Sequence, residues 1–137
     1  MSVPKGKQAE GKLLVNELAR DLAVYTLRIT RNTKVFDEKY QSAITNEILH
    51  SAIVIHKYAF SANNITVKSH QQYADRRHFQ ELAAVECNNL LSLIDLAKPL
   101  FHLSAKRCRY WGNLVIEVRN KIRAWIESDA KRYQEYR

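Results

Sequence analysis

A chain of 137 residues with 22 Lys+Arg against 14 Asp+Glu carries a formal net charge of +8 and has room for one domain with one real core. Three Gly and two Pro leave little material for tight turns, which argues against many-stranded β architectures and for long helices joined by a few loops. The basic excess suits an anionic partner, either nucleic acid or an acidic protein surface, and says nothing about fold. No apolar run approaches the ~20 residues of a membrane span, and the N-terminus has no apolar signal-peptide stretch. A cytoplasmic protein with no membrane contact is the expectation.

In chain order, residues 1–12 hold two of the three glycines and one of the two prolines, with only Met1 and Val3 as large apolar residues. Such a segment cannot bury itself and reads as a flexible basic arm. A first helix is predicted over about 12–31, with Leu14, Leu18, Leu22, Tyr25 and Ile29 on one stripe. The segment from Arg31 to Lys34 breaks the period, and Asp37 or the preceding turn can cap a second helix over about 37–63. That helix has two apolar faces. Tyr40, Ile44, Ile48, Ala52, Ile55 and Ala59 form one, and Leu49, Ile53 and Phe60 form another, roughly 100–140° away. A helix apolar on two faces is buried on two faces, so Leu49, Ile53 and Phe60 are candidates for a subunit interface or for deeper burial within the same bundle.

Ser69 is placed to cap a third helix over about 70–98, whose stripe is Phe79, Leu82, Ala83, Leu90, Leu93, Ile94 and Ala97. Glu86 falls inside that arc and needs either a cation or a place at the core margin. Pro99 is expected to end or kink the helix. Ser104 can cap the fourth, from about 105 to 130 or beyond, with Gly112 inside it as a possible mark of close helix contact. No strand pattern or internal repeat is visible. The fold predicted is all-α, an antiparallel up-down-up-down four-helix bundle over 13–137.

The fourth helix carries two superimposed patterns. Trp111, Leu114, Val115, Val118, Ile122, Trp125 and Ile126 step by three and four and share one face. Arg109, Arg119 and Arg123 lie together on a flank, roughly 60–160° round from the centre of that stripe. One side can enter a core while the other offers fixed guanidinium groups to an anion. The competing reading is that these arginines pair inside the protein, with Glu86 or Glu117 for example. No cluster of exposed aromatics suggests a base-stacking platform, so contact is expected to be with phosphates.

The catalytic inventory is empty. His50, His56, His70, His78 and His102 include no i, i+4 pair, HExxH is absent, and no pair of ExxH motifs of the di-iron kind occurs. Cys87 and Cys108 stand alone, without CxxC or a nearby His at ligand spacing, and read as small hydrophobes. Helical ribonucleases of the HEPN type place a His shortly after an Arg-polar pair. Here Arg119 and Asn120 are followed by Lys-Ile-Arg-Ala-Trp, which leaves no proton-transfer group. No enzyme, metal or cofactor is expected.

The segment Leu114–Arg132 reads Leu-Val-Ile-Glu-Val-Arg-Asn-Lys-Ile-Arg-Ala-Trp-Ile-Glu-Ser-Asp-Ala-Lys-Arg. It resembles the last helix of the Avd family, the accessory variability determinants of diversity-generating retroelements. The shared pattern is an aliphatic pair, Glu-Val, a basic residue, Ile, and a Trp followed by basic residues. The stretch from Tyr40 to the Ala62–Asn63 ending is similar to that family's second helix. Intervening-sequence proteins of large-subunit ribosomal RNA share the four-helix bundle, but their Asn-Ile-Ala-Glu-Gly motif is missing where this chain reads Ala-Asn-Asn-Ile-Thr over 62–66. The resemblance implies a cyclic homo-oligomer, a pentamer, of four-helix bundles. It would be a non-enzymatic subunit binding a reverse transcriptase and its template RNA, and possible DNA, during mutagenic cDNA synthesis. The basic positions that carry over are Arg119, Lys131 and Arg132. The alternatives are a ribosomal-RNA-associated bundle protein and a protein-interaction adaptor of a mobile element.

Overall fold

The computed structural model describes residues 5–137, with side chains from Leu14 onward. Four long helices make up the fold: α1 (Lys5–Thr30), α2 (Asn46–Asn63), α3 (His70–Leu100) and α4 (Ala105–Arg132). No strand occurs among the described residues. Of the expected arm over 1–12, residues 1–4 and the side chains of residues 5–13 lie outside the described residues; the backbone of α1 begins at Lys5, earlier than the expected start near 12.

Each helix packs against the next, and α4 returns against α1. Antiparallel order shows in the contacts themselves. Ser51 meets the Glu86 carbonyl while Tyr58 meets Phe79, so α2 and α3 run oppositely. Arg76 meets Asp129 while Asn88 meets Arg119, so α3 and α4 do too.

The buried positions follow the three-and-four rhythm of a bundle seam. On α4 they are Trp111, Val115, Val118, Ile122, Trp125 and Asp129; on α2 they include Ile48, Ala52, Ile55, Ala59 and Ala62. Leu114 and Ile126, expected in the α4 stripe, lie at its half-buried edges. Both serine caps form as expected: Ser69 Oγ accepts from Gln72 N at 3.2 Å, and Ser104 Oγ accepts from Arg107 N at 3.1 Å.

Three local details depart from the expectation. The second helix does not start as an α-helix at 37. Asp37 caps only a 3₁₀ turn at Glu38–Tyr40, and a π turn at Gln41–Thr45 precedes α2. The wide turn resets the register, so that Tyr40 can meet Phe101 edge-on at 5.8 Å while Ile48 and its successors face the core. The break after α1 is also part of the core. Phe36 is fully buried against Phe101 at 4.8 Å and Trp111 at 6.2 Å. Pro99, by contrast, marks the helix end as expected: it sits in the last turn of α3, which stops one residue later at Leu100 and closes at Phe101, followed by His102 at φ 54°. Gly112 does not mark a forced approach, because a Cβ there would meet Leu91 Cδ2 at an ordinary 3.9 Å.

No helix among the described residues is long and apolar enough to cross a membrane.

Candidate binding surface

The apolar stripe of α4 anchors the helix and leaves the opposite face to solvent. Arg109, Asn113, Asn120, Arg123, Glu127 and Lys131 are all exposed there. Arg109 and Arg123 enter no ion pair among the described residues. Glu127 interrupts the cationic row.

The five basic residues singled out from sequence thus divide. Arg109, Arg123 and Lys131 are exposed, whereas Arg119 and Arg132 are half-buried. Arg119 reaches across the α3–α4 groove and donates from Nη1 to Asn88 Oδ1 at 2.8 Å. Its internal partner is therefore a neutral amide on α3, and neither Glu86 nor Glu117. Glu86 lies at the core margin, accepting from Asn89 Nδ2 at 3.3 Å. Arg132 lies over the Tyr133 ring at 4.7 Å and donates to Asp129 Oδ1 at 3.2 Å. Only part of its guanidinium can face a ligand.

Near the other end of the α3–α4 groove, a cleft of about 390 Å³ is lined by Arg109, Asp95, Lys98, Cys108 and Gly112 among others. Deeper along this groove, burial pushes the Cys87 thiol up to about 12, against the opposing pull of Arg119 and Arg123. A thiol held neutral in this way is a core filler and not a nucleophile. Cys108 is half-buried and also free.

The second apolar stripe of α2 lies on the side away from the core. Leu49 is half-buried, Ile53 is 40% exposed and Phe60 is 53% exposed. A single subunit therefore does not cover them. His56 sits among them, edge-on to Phe60 at 6.3 Å. Burial, with a smaller contribution from Arg20, lowers its pKa below the usual imidazole value. That direction favours the neutral imidazole at pH 7.

Sequence reasoning missed a buried ionic network at the far end of α4. Arg76, Gln80 and Asp129 are each 1–2% exposed. Arg76 donates from Nε to Asp129 Oδ2 at 2.6 Å and from Nη2 to Oδ1 at 3.2 Å, a bidentate pair. Gln80 adds a third donor at 2.7 Å, and Arg132 a fourth at 3.2 Å. The remaining Arg76 nitrogen, Nη1, donates to the Ile65 carbonyl at 3.2 Å. The guanidinium carbon lies 5.0 Å from the Trp125 ring centre and 5.7 Å from that of Tyr133. The network ties the α2–α3 loop, α3, α4 and the C-terminal turn together. A signal was present: Arg76 and Gln80 fall in the three-and-four rhythm of Tyr73, Ala83 and Cys87, as Asp129 does in that of Trp125 and Ile122.

Comparison of the chain with protein-family models, with curated proteins and with solved structures finds no match.

Proposed function

We propose that this chain is a non-enzymatic accessory subunit that holds RNA, and through it a reverse transcriptase, on the basic face of α4. One observation carries this: Arg109 and Arg123 are exposed, unpaired among the described residues, and fixed on a helix whose other side is locked into the core. Preorganised cations that no internal carboxylate neutralises are suited to phosphates, and the net charge of +8 favours encounter with a polyanion. The resemblance of Leu114–Arg132 to the last Avd helix selects the retroelement setting over a ribosomal one. A homo-oligomer, pentameric in that family, would cover Leu49, Ile53 and Phe60.

The test is a titration of labelled RNA with the purified chain at several salt concentrations. Affinity is expected to fall by orders of magnitude between roughly 50 and 200 mM salt if several phosphates are neutralised. The double substitution Arg109→Gln with Arg123→Gln should weaken binding and reduce the salt slope, while leaving thermal stability within about 0.5 kcal/mol per site, because both side chains are exposed. Binding that does not respond to salt, or a double variant that binds RNA as the parent does, would remove this surface from the proposal.

A further inference from the structure

The α1–α4 side of the bundle carries an aromatic pair that the linear sequence conceals. Tyr25 on α1 and Tyr110 on α4 are 85 positions apart in the chain, yet their ring centres lie 5.1 Å apart, tilted by 55°. The sequence shows no cluster of exposed aromatics, because this pair is brought together only by the helix packing. Tyr110 is 56% exposed, the most exposed large hydrophobic residue among those described. Tyr25 is rigidly backed: its ring meets fully buried Trp111 edge-on at 6.5 Å, and the Trp111 Nε1–H donates to Thr26 Oγ1 at 3.1 Å.

Two cations flank the pair. Tyr25 and Tyr110 line a cleft of about 280 Å³ together with Ser104, Lys106 and Arg107. Lys106 and Arg107 are exposed and enter no ion pair among the described residues. Arg107 lies close enough to act on the Tyr25 hydroxyl, opposing the rise in pKa that burial causes there. The exposed Tyr110 ring thus shares a cleft with two cations and no lining carboxylate. That combination has an electrostatic preference for an anion bearing a flat apolar group.

We propose that the Tyr25–Tyr110 cleft binds one nucleotide of a single-stranded nucleic acid, with the base stacked on Tyr110 and its phosphate held by Lys106 and Arg107. The site is separate from the Arg109–Arg123 face but rests on the same reading of the chain as a nucleic-acid binder. It adds a preference for unpaired strands, since a duplex keeps its bases stacked on one another and offers the cleft only phosphates. Recognition is tolerant of sequence, because every base has a face that stacks on tyrosine.

The experiment compares a short uridine oligonucleotide with an abasic oligonucleotide of the same length, each titrated against the full chain and three variants at low salt. The parent is expected to bind the uridine strand more tightly than the abasic one. Tyr110→Ala should lose about five- to 150-fold in affinity for the uridine strand, the range of one base–aromatic stack, and nothing for the abasic strand. Tyr110→Phe, which keeps the ring, should bind both strands as the parent does. The pair Lys106→Gln with Arg107→Gln should weaken both strands and lower the salt slope by about 0.7, as expected for one neutralised phosphate on a single strand. Melting curves of each variant report whether the fold is kept. If Tyr110→Ala binds uridine as the parent does, or loses both strands equally, the platform is overturned while the Arg109–Arg123 face still stands. If the parent binds neither strand at low salt, the nucleic-acid reading falls and the platform with it.

Discussion

At the scale of single residues, the buried Asp129 carboxylate accepts from three side chains at once, Arg76, Gln80 and Arg132. Desolvating a carboxylate and a guanidinium is expensive, and the cost is offset only while every donor has its acceptor. Asp129→Ala removes the acceptor and leaves the Arg76 charge stranded at 1% exposure. A loss of about 3–5 kcal/mol in unfolding free energy is expected from urea titration. The pairing can be separated from the packing by a second variant. Arg76→Met combined with Asp129→Leu eliminates both charges and should recover much of that loss, because apolar replacement of a buried pair is often close to neutral. A double variant no more stable than Asp129→Ala alone would show that the geometry of the network, and not the stranded charge, sets the cost. Cys87 lies at the opposite extreme, buried and held as a neutral thiol by its surroundings.

At the scale of elements, α4 was the most legible in sequence, since its stripe, Ser104 cap and length all appear as expected. A long amphipathic helix writes its buried face repeatedly, so no single residue has to be interpreted correctly. Gly112 does not mark a close helix contact. It sits inside α4 with an ordinary 3.9 Å approach to Leu91 in prospect, so its lack of a side chain serves no packing need. Gly112→Ala should stabilise the protein by about 0.5–1 kcal/mol, seen as a higher melting temperature; a lower one would reveal a backbone constraint at that turn. The turns around α2 were illegible for a different reason. Nothing local in the Tyr40–Thr45 sequence distinguishes a π turn from an α turn; the choice is made by Tyr40 finding Phe101, some sixty residues further along the chain. The candidate site was half legible for the same reason. Exposure of Arg109 and Arg123 follows from helical phase alone, whereas the Asn88 partner of Arg119, the Asp129 partner of Arg132 and the Tyr25–Tyr110 pair all depend on which helices become neighbours.

At the scale of the whole molecule, charge and apolar surface pull assembly in opposite directions. Each subunit carries +8, so bringing copies together costs repulsion, while Ile53 and Phe60 on α2, with Leu49 beside them, offer apolar area that a single bundle leaves in water. The lowered pKa of His56 favours the form that adds no charge to that stripe. The two forces respond differently to salt. Screening, with a Debye length of about 10 Å at 0.1 M, weakens repulsion between like-charged subunits and leaves apolar burial in place. A homo-oligomer built on this stripe should therefore become tighter as salt rises from roughly 50 to 200 mM, the same range over which the proposed RNA binding is expected to weaken. Light scattering at tens of micromolar is the measurement, with about five times the 16.0 kDa chain mass expected if the Avd pentamer is the right comparison. Phe60→Asp puts a carboxylate into the middle of the contact and should yield monomers whose helical circular dichroism is unchanged, since Phe60 contributes little to the core of its own bundle. A 16.0 kDa species from the parent chain across the whole salt range would mean that this stripe meets another protein, or water, and that the ring is not formed. An oligomer that persists in Phe60→Asp would place the subunit contact on a different face.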